Sequence, residues 1–310
     1  MVEKLVECVP NFSEGRNAAR VEAIVAAIAT APGILLLDRH SDADHNRTVV
    51  TFAGSPEAVL EAALRGAGKA VELIDLRQHQ GVHPRIGALD VLPFVPLRGA
   101  GMETCVALAR QAGEQIWRRY HVPVYFYEKA ARRPDRANLA HVRRGQFEGL
   151  REAVRRDPDR RPDIGGPELH PTAGATAVGA RKILIAFNIQ LATSDVEIAK
   201  RIARKVRASS GGLPHVKAMG VLLRSRNLAQ VSMNLTDFER TPPHRAYAAV
   251  KREADSLGVK IAGSEIVGLV PQKALELMAG RDLQFEHPPD SMVLEKRLAE
   301  AAAARHDTMD

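Results

Sequence analysis

Aromatic residues make up only 4% of this 310-residue chain, with a single tryptophan among them. Proteins that hold single-stranded nucleic acid stack bases on aromatic rings, and no RRM, zinc-finger or helix-turn-helix pattern is present, so nucleic acid is not the expected partner. Cysteine is scarcer still. Cys8 and Cys105 are the only two, lie in apolar periodic segments and lack CxxC spacing, which excludes a disulfide framework and reads as small core hydrophobes in a reducing compartment. No apolar run approaches the ~18 residues that span a bilayer, and the start Met1-Val2-Glu3-Lys4-Leu5 lacks the apolar stretch of a signal peptide. The expectation is a cytoplasmic protein with no membrane contact. Phosphate-loop signatures are missing too: there is no GxxxxGK[ST] and no strand-linked GxGxxG.

What the chain does have is apolar content and positive charge. At 45% hydrophobic it can bury a substantial core, and its length suits two domains of ~150 residues. The net charge of +7 admits small polyanions as ligands. Much of the excess sits at 132–161, where Arg132, Arg143 and Arg161 alternate with Asp135, Glu148 and Asp157. Mixed signs at helical spacing read as a solvated face.

Periodicity predicts strands at 4–9, 34–38, 48–53 and 90–97, with an alanine-rich helix at 17–30 and a Ser55-Pro56-Glu57-capped helix to about 74. A helix at 102–119 and a strand at 123–127 follow. The second half repeats the scheme, with strands at 182–189, 216–223, 229–235 and 259–267, helices at 194–208 and 243–257, and a further helix at 271–279. Each half therefore reads β-α-β-β-α-β, the split β-α-β unit. The expected fold class is α+β: two ferredoxin-like (βαββαβ) subdomains with facing sheets and helices on the outer faces. Their expected extents are 1–178 and 179–310, joined around 175–181, the second ending in a helical tail. A cleft between such sheets can take a polar ligand; a plain interdomain core is the alternative.

Four polar clusters interrupt the scaffold. Asn11 and Ser13 lie in the first, Pro10 to Arg16, which also starts a helix with Ser13 or Asn17 as cap. Asp42, Asp44, Asn46 and Arg47 lie in the second, 38–47, a turn far more polar than a hairpin needs, although it lacks the glycine and terminal glutamate of a calcium loop. The third, Arg77 to Val91, holds His79, His83 and Arg85. Gly81 and Pro84 oppose a helix there, and the glutamate of HExxH is absent, so the two histidines are not read as zinc ligands and no metal is expected. His83, in a loop near Arg85 and Asp90, is the candidate for proton transfer. The fourth, 162–176, is rich in turn formers and is either a linker or a backbone platform for a flat heterocycle.

Several strings carry a resemblance. Glu7 through Arg16, Asn46-Arg47-Thr48-Val49, His79 through Phe94, Gly179 through Asn188, Asn227 through Ser232 and Gly268-Leu269-Val270-Pro271 together resemble the folate-dependent formiminotransferase family, the N-terminal half of formiminotransferase-cyclodeaminase, over about residues 5–275. The resemblance implies two α/β subdomains around a substrate tunnel and a homodimer. It implies transfer of a formimino group from N-formimino-L-glutamate to N5 of tetrahydrofolate, a co-substrate, during histidine breakdown. His83 falls on the family's catalytic histidine. Folate contacts carry over to Gly165, Gly166, Pro167, Glu168 and Leu169, to His170, Pro171, Thr172, Ala173 and Gly174, and to Gly211, Gly212 and Leu213.

Charge and placement make Arg47 and Arg85 candidates to grip substrate carboxylates, with Asn11, Asn46 and His79 in support. The chain has His40 where vertebrate-type members carry an acid, so Asp42 or Asp44 is the expected carboxylate behind His83. The chain length leaves no room for a cyclodeaminase domain, so a single activity is expected. A 5-formyltetrahydrofolate-processing enzyme and a non-catalytic folate- or polyanion-binding protein are the competing expectations.

Overall fold

The computed structural model describes residues 4–307; residues 1–3 and 308–310, the outermost ends of the two expected domains, lie outside them. The chain divides into two compact units after Arg181.

In the first unit, β1 (Val6–Cys8) and β2 (Asn11–Phe12) form one strand path broken at Pro10, which has no N–H to give to a ladder. Helix α1 (Ala18–Ala29) follows, then β3 (Ile34–Asp42), β4 (Arg47–Gly54), α2 (Pro56–Leu73) and β5 (Leu89–Pro96). Both halves of the broken strand pair antiparallel with β4 on one side and β5 on the other, and β3 pairs with β4. The order β3-β4-β1/β2-β5 is that of a ferredoxin-like sheet. Helix α1 buries Val21, Ile24, Val25 and Ile28, one stripe at i, i+3, i+4 and i+7, and its cap is Asn17, whose side chain accepts from the Arg20 N–H. Ser13, the other cap candidate, instead donates its hydroxyl to the Gly87 carbonyl at 2.7 Å.

Helix α3 (Met102–Tyr120), β6 (Val124–Glu128), α4 (Leu139–Val142), α5 (Gln146–Arg156) and β7 (Thr176–Ala180) extend this unit. Strand β7 lies parallel between β5 and β6. It occupies the segment that reads as an interdomain join in the sequence, because its run Thr-Ala-Val-Gly-Ala is made of small residues with a glycine inside and shows no strand periodicity. Cys8 and Cys105 are buried free thiols in the core, and burial raises both pKa values, that of Cys105 to about 12.

The second unit holds β8 (Ile185–Leu191), α6 (Val196–Val206), β9 (Val216–Leu223), β10 (Leu228–Leu235), α7 (Pro243–Ser256) and β11 (Ile261–Val267). Its sheet runs β11-β8-β10-β9, antiparallel throughout. Alternate residues Ile185, Phe187, Ile189 and Leu191 join Ile202, Val206 and Val250 of the helices in one core. Helices α8 (Gln272–Met278) and α9 (Leu294–Asp307) complete the unit. Two sheets of the split β-α-β order make the protein α+β. No helix among the described residues is long and apolar enough to cross a membrane.

Candidate active site

The loop between α2 and β5 carries His83, and three other segments of the first unit hold it in place. The Val82 N–H donates to the Asp44 carbonyl at 3.1 Å. Asn46 spans the gap, its Nδ2 donating to the Gln80 carbonyl at 3.0 Å while its Oδ1 accepts the Gly15 N–H at 2.9 Å. Gly81 is required at this seam, since a Cβ there would stand 2.3 Å from the His45 carbonyl oxygen. Downstream, the Ala88 N–H donates to the Ala173 carbonyl and the Ala175 N–H to the Ile86 carbonyl, both at 2.9 Å. The loop is a pinned structure with little regular geometry of its own.

Within it the His83 ring is partly exposed, and its Nδ1 lies 2.8 Å from the Pro84 carbonyl oxygen. A carbonyl only accepts, so Nδ1 carries the proton and Nε2 keeps its lone pair. That is the tautomer a general base needs at Nε2. The group behind His83 is thus a backbone carbonyl. Asp42, one of the two carboxylates expected there, is occupied by His45: its Oδ1 accepts from the His45 backbone N–H at 2.6 Å and lies 3.0 Å from Nδ1 of that ring. Burial alone would raise the Asp42 pKa, but the bonds from His45 outweigh it and hold the carboxyl below its usual value. His45 in turn packs edge-on to His83, ring centres 6.1 Å apart. His45 went unnoticed in sequence because nothing in a run of alternating acids singles it out.

Beside His83 sits a fully buried carboxylate. Asp90, 0% exposed, accepts from Arg47 at 2.8 Å, from Arg143, and from the Ile86 N–H at 2.8 Å. Arg47 also donates from Nε to the Asn11 Oδ1 at 3.0 Å, and Asn11 is held by the Val9 carbonyl at 2.8 Å. Burial pushes the Arg47 pKa down to about 10, which still leaves it charged at pH 7. Two guanidinium groups against one carboxylate leave this corner net positive. Burial first, then the charges of Arg47 and Arg143, push the His83 pKa well below the ordinary imidazole value. The ring is neutral at pH 7. Arg143 was lost to sequence reading in its arginine-rich run, where spacing gives no way to choose one arginine from the next.

Arg85 and Arg47, expected to grip substrate carboxylates, are both committed inside the protein. The Arg85 fork meets Glu148 with bonds of 2.7 and 2.6 Å, and its Nε donates to the His79 Nδ1 at 3.1 Å. With Nδ1 accepting, His79 donates from Nε2 to the Asn46 carbonyl at 2.9 Å. Both nitrogens are spent, and His79 stands as a strut between the third and second clusters. Among the described residues no group of three His, Cys, Asp or Glu side chains is placed to hold a metal.

The stretch 165–174 divides in two. Residues 170–174 close a turn in which the His170 and Gly174 backbones bond each other at 2.9 and 3.0 Å, and Ala173 N–H reaches the His170 Nδ1 at 2.9 Å; this turn abuts Ile86 to Ala88. Residues 163–165 instead run along β6, bridged at Val124 and Ile164. Gly165 takes φ +104° with Pro123 and Trp117 against it, a conformation only glycine holds without strain. Pro167 and Glu168 are exposed and Leu169 is buried. Gly211, Gly212 and Leu213 lie in the second unit, in the turn that ends α6, with the Leu213 N–H on the Val206 carbonyl at 2.9 Å.

Residues 5–181 match the formiminotransferase domain, N-terminal subdomain, and 186–300 match the formiminotransferase domain. A glutamate formimidoyltransferase of Streptococcus pyogenes serotype M1 is 47% identical, covering 91% of this chain and 94% of the relative. One from Thermoplasma acidophilum is 46% identical, covering 96% and 98%. The formimidoyltransferase-cyclodeaminase of Rattus norvegicus is 48% identical over 88% of this chain and 51% of its own length. The chain belongs to the formiminotransferase family.

Proposed function

We propose that this protein is a glutamate formimidoyltransferase: it moves the formimino group of N-formimino-L-glutamate to N5 of tetrahydrofolate, giving 5-formiminotetrahydrofolate and L-glutamate in histidine catabolism. The names of its relatives support the reaction, and the observation that carries the mechanism is the neutral His83 with a proton on Nδ1 and a lone pair on Nε2. N5 attacks the formimino carbon, and the N5–C bond forms as N5 gives its proton to the His83 Nε2. The resulting imidazolium hands that proton to the glutamate nitrogen, and the C–N bond to glutamate breaks.

The depressed pKa suits this sequence. An N5 that has bonded to carbon as a cation is a strong acid, so a weak base suffices to deprotonate it. The imidazolium, disfavoured beside Arg47 and Arg143, is in turn a strong acid toward the leaving nitrogen. The donor carries two carboxylates, which a net-positive corner attracts. Arg143 Nε is buried without a hydrogen-bond partner, which makes it the donor available to one of them. The working form in this reading is a cytoplasmic homodimer, which sedimentation of the purified protein checks.

The assay offers purified protein tetrahydrofolate with N-formimino-L-glutamate, and separately L-glutamate with 5-formyltetrahydrofolate, products being identified by mass. Formimino transfer in the first mixture is the expected result. Turnover only with the formyl donor, or binding without turnover, contradicts the proposal.

A further inference from the structure

Every donor of Arg85 is spent inside the first unit. Its guanidinium has five N–H bonds to give, and five acceptor contacts take them. Nε reaches the His79 Nδ1 at 3.1 Å. Nη1 reaches the Gln146 Oε1 at 3.3 Å and Glu148 at 2.7 Å, and Nη2 reaches the His79 carbonyl at 3.2 Å and Glu148 at 2.6 Å. The side chain is 7% exposed. Nothing remains to grip a substrate carboxylate, so any part Arg85 has in the reaction runs through the residues it holds.

Those residues lie at the start of α5. The helix has no side-chain cap, and its first N–H groups need partners from elsewhere. Arg85 supplies one with its own carbonyl, which accepts the Phe147 N–H at 3.0 Å, while its guanidinium takes Gln146 and Glu148 of the same turn. The turn needs holding. Gly145 at φ +85° and Gln146 at φ +55° take positive φ in succession, and the second is not glycine. The Gln146 N–H closes on the Arg143 carbonyl at 2.8 Å, so the backbone that sets Gln146 also sets Arg143. Next to Arg85, the Ile86 N–H donates to the Asp90 Oδ1 at 2.8 Å, and the Asp90 Oδ2 accepts from Arg143. Arg85 and Ile86 together hold both ends of the Arg143–Asp90 pair.

We infer that Arg85 is a positioning residue that locks the Arg143 turn against the His83 loop, so that the arginine gripping the donor and the base acting on it keep one geometry. The inference rests on the reaction and the Arg143 grip proposed above. Arg143 is not sealed off, since 12% of its side chain is exposed. Two other sets of contacts limit what the loss of Arg85 can do. Phe147, Leu150 and Val154, each at most 2% exposed, anchor α5 in the core. The His83 loop is held independently by Asp44, Asn46 and Ala173. Without Arg85 the turn between them is released, and donor binding weakens while the proton shuttle persists.

The test is a double-mutant cycle on the full chain, with steady-state kinetics, calorimetric binding of 5-formyltetrahydrofolate, and thermal melting as a fold check. Arg85→Met should raise the KM for N-formimino-L-glutamate about tenfold, with kcat lowered no more than about threefold and folate affinity within about twofold of the parent. In the Arg143→Met background the same change should add less than about twofold to KM, because the grip it positions is already gone. Arg85→Lys keeps the charge on one nitrogen that cannot span His79 and Gln146 together, so its KM should fall between those of the parent and Arg85→Met. Where Arg85→Met does not fold, Arg85→Lys carries the same cycle. A KM unchanged by either Arg85 variant, or a rise that multiplies in full onto that of Arg143→Met, overturns this inference and leaves the proposed reaction standing. An Arg143→Met variant with the KM of the parent overturns the grip and this inference together. A parent that does not transfer the formimino group overturns the proposed function itself.

Discussion

Replacing Asp90 with asparagine removes one negative charge from a place where it has two positive partners and no solvent. Arg47 stays protonated at neutral pH even with its pKa pushed down to about 10, so Asp90→Asn leaves buried guanidinium charge uncompensated. Breaking a buried pair by removing one partner costs about 3–5 kcal/mol. Asparagine keeps the shape but only one acceptor oxygen, enough for either the Ile86 N–H or the guanidiniums, which meet different oxygens of Asp90, so the loss is at least ~3 kcal/mol, a large part of the ~5–15 kcal/mol available to a domain. For a unit of this size that is about 6–12 °C in melting temperature, read by calorimetry at pH 7.

The pH dependence supplies a second reading of the same change. Burial alone would raise the Asp90 pKa, but Arg143 and Arg47 outweigh it and hold it below the usual value. A carboxylate depressed in the folded state contributes stability that is present above its unfolded pKa of ~3.9 and lost as pH falls further, so the gap between parent and variant should close in acid. A melting temperature within about 2 °C of the parent at pH 7, or a gap that widens on acidification, refutes the reasoning.

Four further outcomes follow from the same region. Gly81→Ala drives a Cβ to 2.3 Å from the His45 carbonyl and must shift the loop, so turnover should fall about 10²-fold with a stability cost of about 1–3 kcal/mol, measured by steady-state kinetics and urea unfolding. Arg143→Met should raise the KM for N-formimino-L-glutamate about 10–100-fold with little change in folate affinity by calorimetry. Because the pKa values of His83 and His79 both lie below the ordinary imidazole value, kcat/KM should stay level from pH 8 to about 6.5 and fall only below it. The same shifts have a stability sign: below ~6.5 the unfolded chain takes up protons that these folded rings resist, so this contribution is full above ~6.5 and lost as pH falls. Melting temperatures from pH 7.5 to 5 check it.

How much of this was legible beforehand depends on the range over which each feature is determined. Helices α1, α2 and α3 announce themselves by period and caps, and the double β-α-β-β-α-β order follows from periods alone. Strand β2 does not, because two residues after a proline have no period to read, and β7 is hidden among small residues whose strand character comes from lying between β5 and β6. The His83 loop stands out because Gly81 and Pro84 exclude a helix. Its chemistry is tertiary. Asp90, Arg47 and Arg143 meet across 43 and 53 residues of sequence, and nothing local at Arg143 reports that meeting. Asp42 stood with Asp44 as the expected carboxylate behind His83 because His40 replaces an acid there; the fold gives Asp42 to His45, three residues away.

The central claim is that His83 shuttles the proton between N5 and the leaving nitrogen, and His83→Ala tests it most directly. General acid–base groups contribute ~10²–10⁴-fold, so turnover of N-formimino-L-glutamate with tetrahydrofolate should fall by that factor while the dissociation constant for 5-formyltetrahydrofolate stays within about threefold. Turnover within a few-fold of the parent contradicts the account.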